Sequence, residues 1–331
     1  MKGKCIFIKT VCLLAVQALC IGSFSSCSAQ LHSQSLIPDI HFKEGFKVRA
    51  LGGNQGTTEY IGYFPRDTQE ETVKWTLAQW SARYSFMDET VSREWQPTEG
   101  VWFVSSPNEV FGVDTNTGLL TFQCTASKCY GAPRQAAEPW MHLLIETAFT
   151  REENWGKLSE MKHLRIYVDT QLTKFEDHMG EAFNSGIHAA QFLMYLTVQN
   201  LNQDSKDYGK YIWFGIGMFD NRSEEIAAYY NLDPGTGSMI YSLASSETCT
   251  GNYRYTKDGK IQAGEDTPWV SYYKDVIDDM RKAFETVQTE GMLQNSTWND
   301  MYIAGMNIGW EVPGTYDVEM RVKNLDVVAE R

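Results

Sequence analysis

Hydrophobic and polar positions alternate with a period of two through long stretches of the chain's second half. In residues 303–314, IAGMNIGWEVPG, one side carries Ala304, Met306, Ile308, Trp310 and Val312, and the other carries Ile303, Gly305, Asn307, Gly309 and Glu311. Successive side chains of a strand point to opposite faces. The stretch therefore predicts a strand with one apolar face and one face of glycine, amide and carboxylate. Four more stretches read the same way. In WMHLLIETAF (140–149), Met141, Leu143 and Ile145 oppose Trp140, His142 and Glu146. In HLRIYVDTQL (163–172), Leu164, Ile166 and Val168 oppose His163, Arg165, Tyr167 and Asp169. In AAQFLMYL (189–196), Phe192, Met194 and Leu196 oppose Gln191, Leu193 and Tyr195. In YIWFGIGMF (211–219), Ile212, Phe214, Ile216 and Met218 oppose Tyr211, Trp213, Gly215 and Gly217.

Turn signals punctuate these runs at Gly52-Gly53, residues 114–118, residues 233–235 and Asp258-Gly259. Short strands separated by such signals predict an all-β sandwich or barrel rather than alternating β/α units. One segment breaks the pattern. From 271 to 290, Tyr273, Val276, Ile277, Met280, Ala283, Phe284 and Val287 keep helical spacing, and Gly291 supplies a stop.

The polar faces of the five strands share a vocabulary of Trp, Tyr, His, Arg, Gln, Asn, Asp and Glu, with glycine where bulk would obstruct. An ordinary solvated face uses more Lys, Thr and Ser. Aromatic rings beside planar hydrogen-bonding groups suit a sugar: the ring stacks and the hydroxyls bond to amides and carboxylates. The expected partner is an oligo- or polysaccharide. Tyr167, Tyr211 and Trp213 would stack it, and Arg165, Gln191, Asn307 and Glu311 would bond its hydroxyls. The opposing expectation is that residues 41–135 cover this face as a second core.

Charge and cysteines narrow the field. The chain has 29 basic and 42 acidic residues, which argues against nucleic acid and anionic membrane surfaces as partners. Lys2, Lys4 and Lys9 precede an apolar run from Val11 to Phe24, which predicts a secretory signal over residues 1–26. Phe24-Ser25-Ser26-Cys27 resembles a lipobox, making Cys27 a lipidated N-terminus; cleavage after Ala29 is the alternative. The expectation is a lipid-anchored protein of the bacterial envelope, at the outer membrane or in the periplasm, touching membrane only through lipid. Residues 27–40 form a tether and 41–331 a single domain. Cys124, Cys129 and Cys249 permit at most one internal disulfide, Cys124 with Cys129 or none. Of the six histidines, only His142 and His163 fall on the polar faces. No metal site and no cofactor are expected.

The C-terminal half resembles family 12 glycoside hydrolases over residues 185–328. The signals are MIYSL (239–243), the helix near 271–290, Gly291, Tyr302-Ile303 and Gly309-Trp310-Glu311, in that order. The resemblance implies a concanavalin-like β-jelly roll and sets Glu311 at the acid/base position. At the nucleophile position it finds Gln191, and an amide cannot form a glycosyl ester. Glu146 and Asp169 are the candidates for a replacement carboxylate. The leading expectation is a glycan-binding protein on a glycosidase-like scaffold. The second is an active hydrolase using Glu311 with Glu146 or Asp169, and the third a structural envelope lipoprotein.

Overall fold

The computed structural model describes residues 32–52, 58–130, 133–149, 154–250, 255–257 and 260–331. The signal segment, Cys27, Gly53 and Asp258-Gly259 lie outside them. In the first third, the strands are β1 (Ser33–Ser35), β2 (Phe46–Arg49), β3 (Tyr60–Phe64), β4 (Trp75–Ala78), β5 (Arg93–Thr98), β6 (Val101–Ser105), β7 (Glu109–Asp114) and β8 (Leu119–Thr125). Then come β9 (Met141–Ala148), β10 (His163–Asp177), β11 (Gln191–Asn200), β12 (Tyr211–Asp220), β13 (Tyr229–Leu232) and β14 (Met239–Leu243). A short helix, α1 (Ser245–Thr248), precedes β15 (Cys249–Thr250), β16 (Thr256–Lys257), β17 (Lys260–Ile261) and β18 (Val270–Asp275). Helix α2 (Ile277–Thr289), β19 (Met301–Val312) and β20 (Tyr316–Glu330) complete the chain.

Two nine-stranded sheets form a sandwich, and the chain passes between them repeatedly, as in a jelly roll. The first sheet has the order β15-β18-β10-β20-β8-β7-β6-β5, with β1 also paired to β20. The second runs β13-β14-β12-β11-β19-β9-β4-β2-β3. Residues 41–135 therefore supply strands to both sheets rather than forming a separate layer.

Alternation decides what the sheets bury between them. Strand β11 alternates half-buried and buried residues along its whole length. Its even-numbered side chains Phe192, Met194, Leu196 and Val198 are buried, and so are Met306, Ile308, Trp310 and Val312 of β19. The facing sheet contributes Phe122, Val318, Met320 and Val322. An aromatic edge joins the layers, Phe192 meeting Phe122 at 5.6 Å, while within its own sheet Phe192 meets Trp310 at 5.1 Å between ring centroids. The Trp310 indole N–H would be stranded in this core, but it donates to the Phe122 carbonyl at 3.0 Å. Fully burying a side chain such as Phe contributes about 1.5–3 kcal/mol.

The expected helix begins later than its spacing suggests. Residues 270–275 pair with β10 as β18, with Tyr167 opposite Tyr273. Helix α2 starts at Ile277 and buries Ile277, Met280, Ala283, Phe284 and Val287. Val270 and Tyr272 also fit a strand, and the sheet claims them; Gly291 follows the helix with φ +85°.

Two buried polar groups stand out. Glu109 is 1 % exposed, lies opposite Cys124, and neither carboxyl oxygen has a hydrogen-bond partner among the described residues. Burial pushes its pKa well above the ordinary carboxylate range. Arg134, also buried, donates to the backbone carbonyls of Gln135, Glu138, Ile187 and Pro313. Cys124 and Cys129 are free thiols and form no disulfide with one another. Burial raises Cys124 well above the ordinary thiol value and Cys129 to about 11.

Candidate functional site

The outer face of the second sheet gathers most of the expected site residues because β12, β11, β19 and β9 are neighbours in it. Register sets them in rows. Gln191 is opposite Asp220 on one side and Glu311 on the other, and Glu311 is opposite His142. Further along, Tyr195 is opposite Asn307, which is opposite Glu146. Trp213 lies beyond, opposite Thr197.

The glycines of this face have a different purpose from clearing room for a ligand. A Cβ on Gly309 would collide with the Leu143 carbonyl oxygen of β9, and one on Gly305 would lie 2.5 Å from the Thr147 carbonyl oxygen. The neighbouring backbone is what approaches them. Gly215 lies beneath Tyr195 and Ser242, and a Cβ on Gly217 would be 2.9 Å from Ile226. These glycines let strands and rings pack closely.

Trp213 is half-buried, with its ring edge-on to Tyr211 at 4.9 Å and to Tyr195 at 5.9 Å. Beside it opens a cleft of about 400 Å³, lined by Lys47, Arg49, Tyr60, Glu146, Asn307 and Trp213 among others. Sequence reasoning missed Lys47, Arg49 and Tyr60. Strand β2 has only four residues, too short for alternation to register, although FKVR does alternate buried and half-buried.

Charges on this face are organised. Glu146 accepts from the Arg49 guanidinium. Asp220 accepts from Arg222 Nε at 2.9 Å and from Gln191 Nε2 at 2.9 Å, so the amide bridges towards one acid while facing another. His142 Nδ1 is 2.9 Å from the Trp140 carbonyl oxygen, which can only accept, so Nδ1 carries a proton. Its Nε2 faces Glu311 at 3.9 Å. Burial lowers the His142 pKa, against the pull of the Glu311 charge. A neutral His142 would thus turn a lone pair towards a carboxylate, an approach that one proton on either partner relieves. Burial, then the Glu311 charge, raises the Tyr195 phenol.

Three expected residues lie elsewhere. Arg165, Tyr167 and Asp169 belong to β10 in the first sheet, so they share no face with Glu311. Arg165 pairs with Glu330, Tyr167 packs on Tyr273 at 5.0 Å, and Asp169 accepts from Asn324 at 2.6 Å. His163, on the same strand, lies 2.5 Å from Asp275. Alternation tells which residues of a strand share a face; it does not tell which sheet the strand joins. Asp169 is therefore corrected as a partner for Glu311. Glu146 is on the right face, but it sits opposite Asn307, four positions along β19 from Glu311. That is roughly 13 Å along the strand, beyond the about 5–9.5 Å that either glycosidase stereochemistry uses.

Among the described residues, one set of possible metal ligands converges: Glu176, His178 and Asp317, with ligand atoms within 4.8 Å of one another. It lies on β10, β20 and the segment after β10, away from the Glu311 face. His178 already pairs with Asp317 at 3.3 Å and with Glu176 at 3.7 Å.

No family model matches the chain, and no curated protein does. Solved structures do. An endoglucanase from Rhodothermus marinus aligns at 9 % identity and TM-score 0.36, covering 72 % of this chain and 96 % of its own. A family 11 xylanase from Neocallimastix patriciarum aligns at 9 % identity and TM-score 0.35, over 73 % of this chain and 97 % of its own. The chain is likewise similar to a family 12 xyloglucanase from Bacillus licheniformis, at 11 % identity and TM-score 0.36, over 76 % of this chain and 99 % of that one.

Proposed function

We propose that the outer face of the second sheet binds an oligo- or polysaccharide and holds it without cutting it. The half-exposed ring of Trp213, flanked by Tyr211 and Tyr195, offers a stacking surface at the edge of an open cleft. Asn307, Gln191 and Glu311 would bond hydroxyls from the same face. One observation carries the choice of binding over hydrolysis. The residue directly opposite Glu311 is Gln191, an amide, where a double-displacement dyad needs a carboxylate about 5–5.5 Å away. The nearest acid across that amide, Asp220, is held by Arg222.

A second reading, hydrolysis with Glu311 as the acid, draws on the His142 nitrogen 3.9 Å from its carboxylate. Glycan-array binding and calorimetry test the first reading; failure of every neutral and acidic polysaccharide to bind sinks it. Release of reducing ends that disappears in Glu311→Gln would favour the second. A secretory signal with lipid on Cys27 is part of the same proposal; mass spectrometry of the mature N-terminus tests it.

A further inference from the structure

The cleft beside Trp213 is charged at one end in a sense opposite to the chain as a whole. The protein carries a formal net charge of −13. Yet the lining of this cleft includes Lys47, Arg49 and Lys74 against one carboxylate, Glu146. Arg49 and Glu146 form an ion pair, which leaves the two lysines as the local excess. Among the described residues neither Lys47 nor Lys74 makes an ion pair within 4.0 Å, and Lys47 Nζ sits 5.6 Å from the Tyr60 ring centroid.

Strand geometry explains why these groups converge. Phe46 and Val48 point into the core, so Lys47 and Arg49 point outward. Lys47 is opposite Thr76 on β4, and Thr76 is opposite Glu146 on β9. The basic end is therefore built on the same sheet as Asn307 and Trp213. It is remote from the acidic end, because Glu311 lies four to six positions along β19 from Asn307 and Gly305, roughly 13–20 Å. The basic groups and Trp213 line the same cleft, whereas Glu311 lies further along the sheet, outside that lining.

We propose that the end formed by Lys47, Lys74 and the Arg49–Glu146 pair is a subsite for an anionic sugar residue, a uronate or a sulfated sugar. The inference rests on the reading that this cleft binds glycan, and it names the class of glycan. Two ammonium groups not held by carboxylates supply charge-assisted hydrogen bonds to a carboxylate or sulfate. The Tyr60 ring, over which Lys47 and Arg49 already lie, offers an apolar plane for the sugar face. Glu311 and Asp220, further along the same face, would repel the same group, so a chain carrying an acid sugar would bind in one direction.

The test is calorimetry on the full chain with three oligosaccharide probes of equal length: a polyuronate, a sulfated glycan and a neutral β-glucan, each at low and high salt. The polyuronate or the sulfated probe should bind more tightly than the neutral one, and only the anionic binding should weaken with salt. Whichever of the two binds better identifies the anion. Lys47→Gln combined with Lys74→Gln should lower the ratio of anionic to neutral affinity roughly tenfold or more. Lys47→Arg with Lys74→Arg should restore it, which separates charge from packing. Equal binding of neutral and anionic probes, or an unchanged ratio in the double glutamine variant, overturns the subsite and leaves glycan binding standing. Binding to none of the three overturns both.

Discussion

Gln191 and Glu311 are direct partners across the pairing of β11 with β19, an amide facing a carboxylate on the open side of the sheet. Directly opposed residues have Cα atoms about 4.5–5.5 Å apart. Gln191→Glu would therefore put two carboxylates within the separation that a retaining glycosidase uses. The variant is expected to gain hydrolysis of a bound β-glucan relative to the parent, detected as new reducing ends. It should also lose up to about 1 kcal/mol of stability at neutral pH, because like charges directly opposed repel and Asp220 loses its amide donor.

Trp213→Ala should weaken glycan binding by about 1–3 kcal/mol, as removal of an anchoring ring does. Tyr167→Ala is the matching control. That ring lies on the first sheet against Tyr273, so its loss should leave affinity unchanged. Titration calorimetry on both variants compares the two faces, and equal losses would contradict the assignment of the cleft to the second sheet.

Glu109 makes stability depend on pH in a definite direction. Burial raises its folded-state pKa, so the folded chain holds this proton more tightly than the unfolded chain. Its contribution is full below the ordinary carboxyl pKa and is lost as pH rises towards the raised value. Glu109→Gln should be more stable than the parent at about pH 8, with the difference shrinking towards about pH 4. Denaturant midpoints across that range report it; a parallel pair of curves would mean that Glu109 is not buried as a neutral acid.

Gly309→Ala should cost about 1–3 kcal/mol through overpacking, because its Cβ has no room beside the Leu143 carbonyl. Glycan affinity should fall with it, since Asn307 and Glu311 flank the displaced backbone. Thermal unfolding and calorimetry on one preparation measure both.

Much of the architecture is legible in the sequence because period-two alternation is a local property of a strand. The inward rows of β9, β11, β12 and β19 fall where the pattern sets them, and so does the apolar stripe of α2. Sheet membership is not local. Strand β10 alternates as clearly as β11, yet it pairs with β18 and β20, taking Arg165, Tyr167 and Asp169 to the far side. The start of α2 was obscured because Tyr273 and Val276 satisfy helical spacing and strand alternation together. The basic end of the cleft went unread because it comes from short strands distant in sequence.

Arg134 ties together segments that meet only in the finished fold. Its guanidinium joins its own loop to Ile187, before β11, and to Pro313, after β19. Closing contacts so distant in sequence carries an entropic cost that grows with loop length, and slow folding accompanies such non-local topology. The rim beside Glu311 is therefore expected to assemble late, after the paired strands beneath it. In native-state hydrogen exchange it should open as a unit, ahead of the amides of β11 and β19.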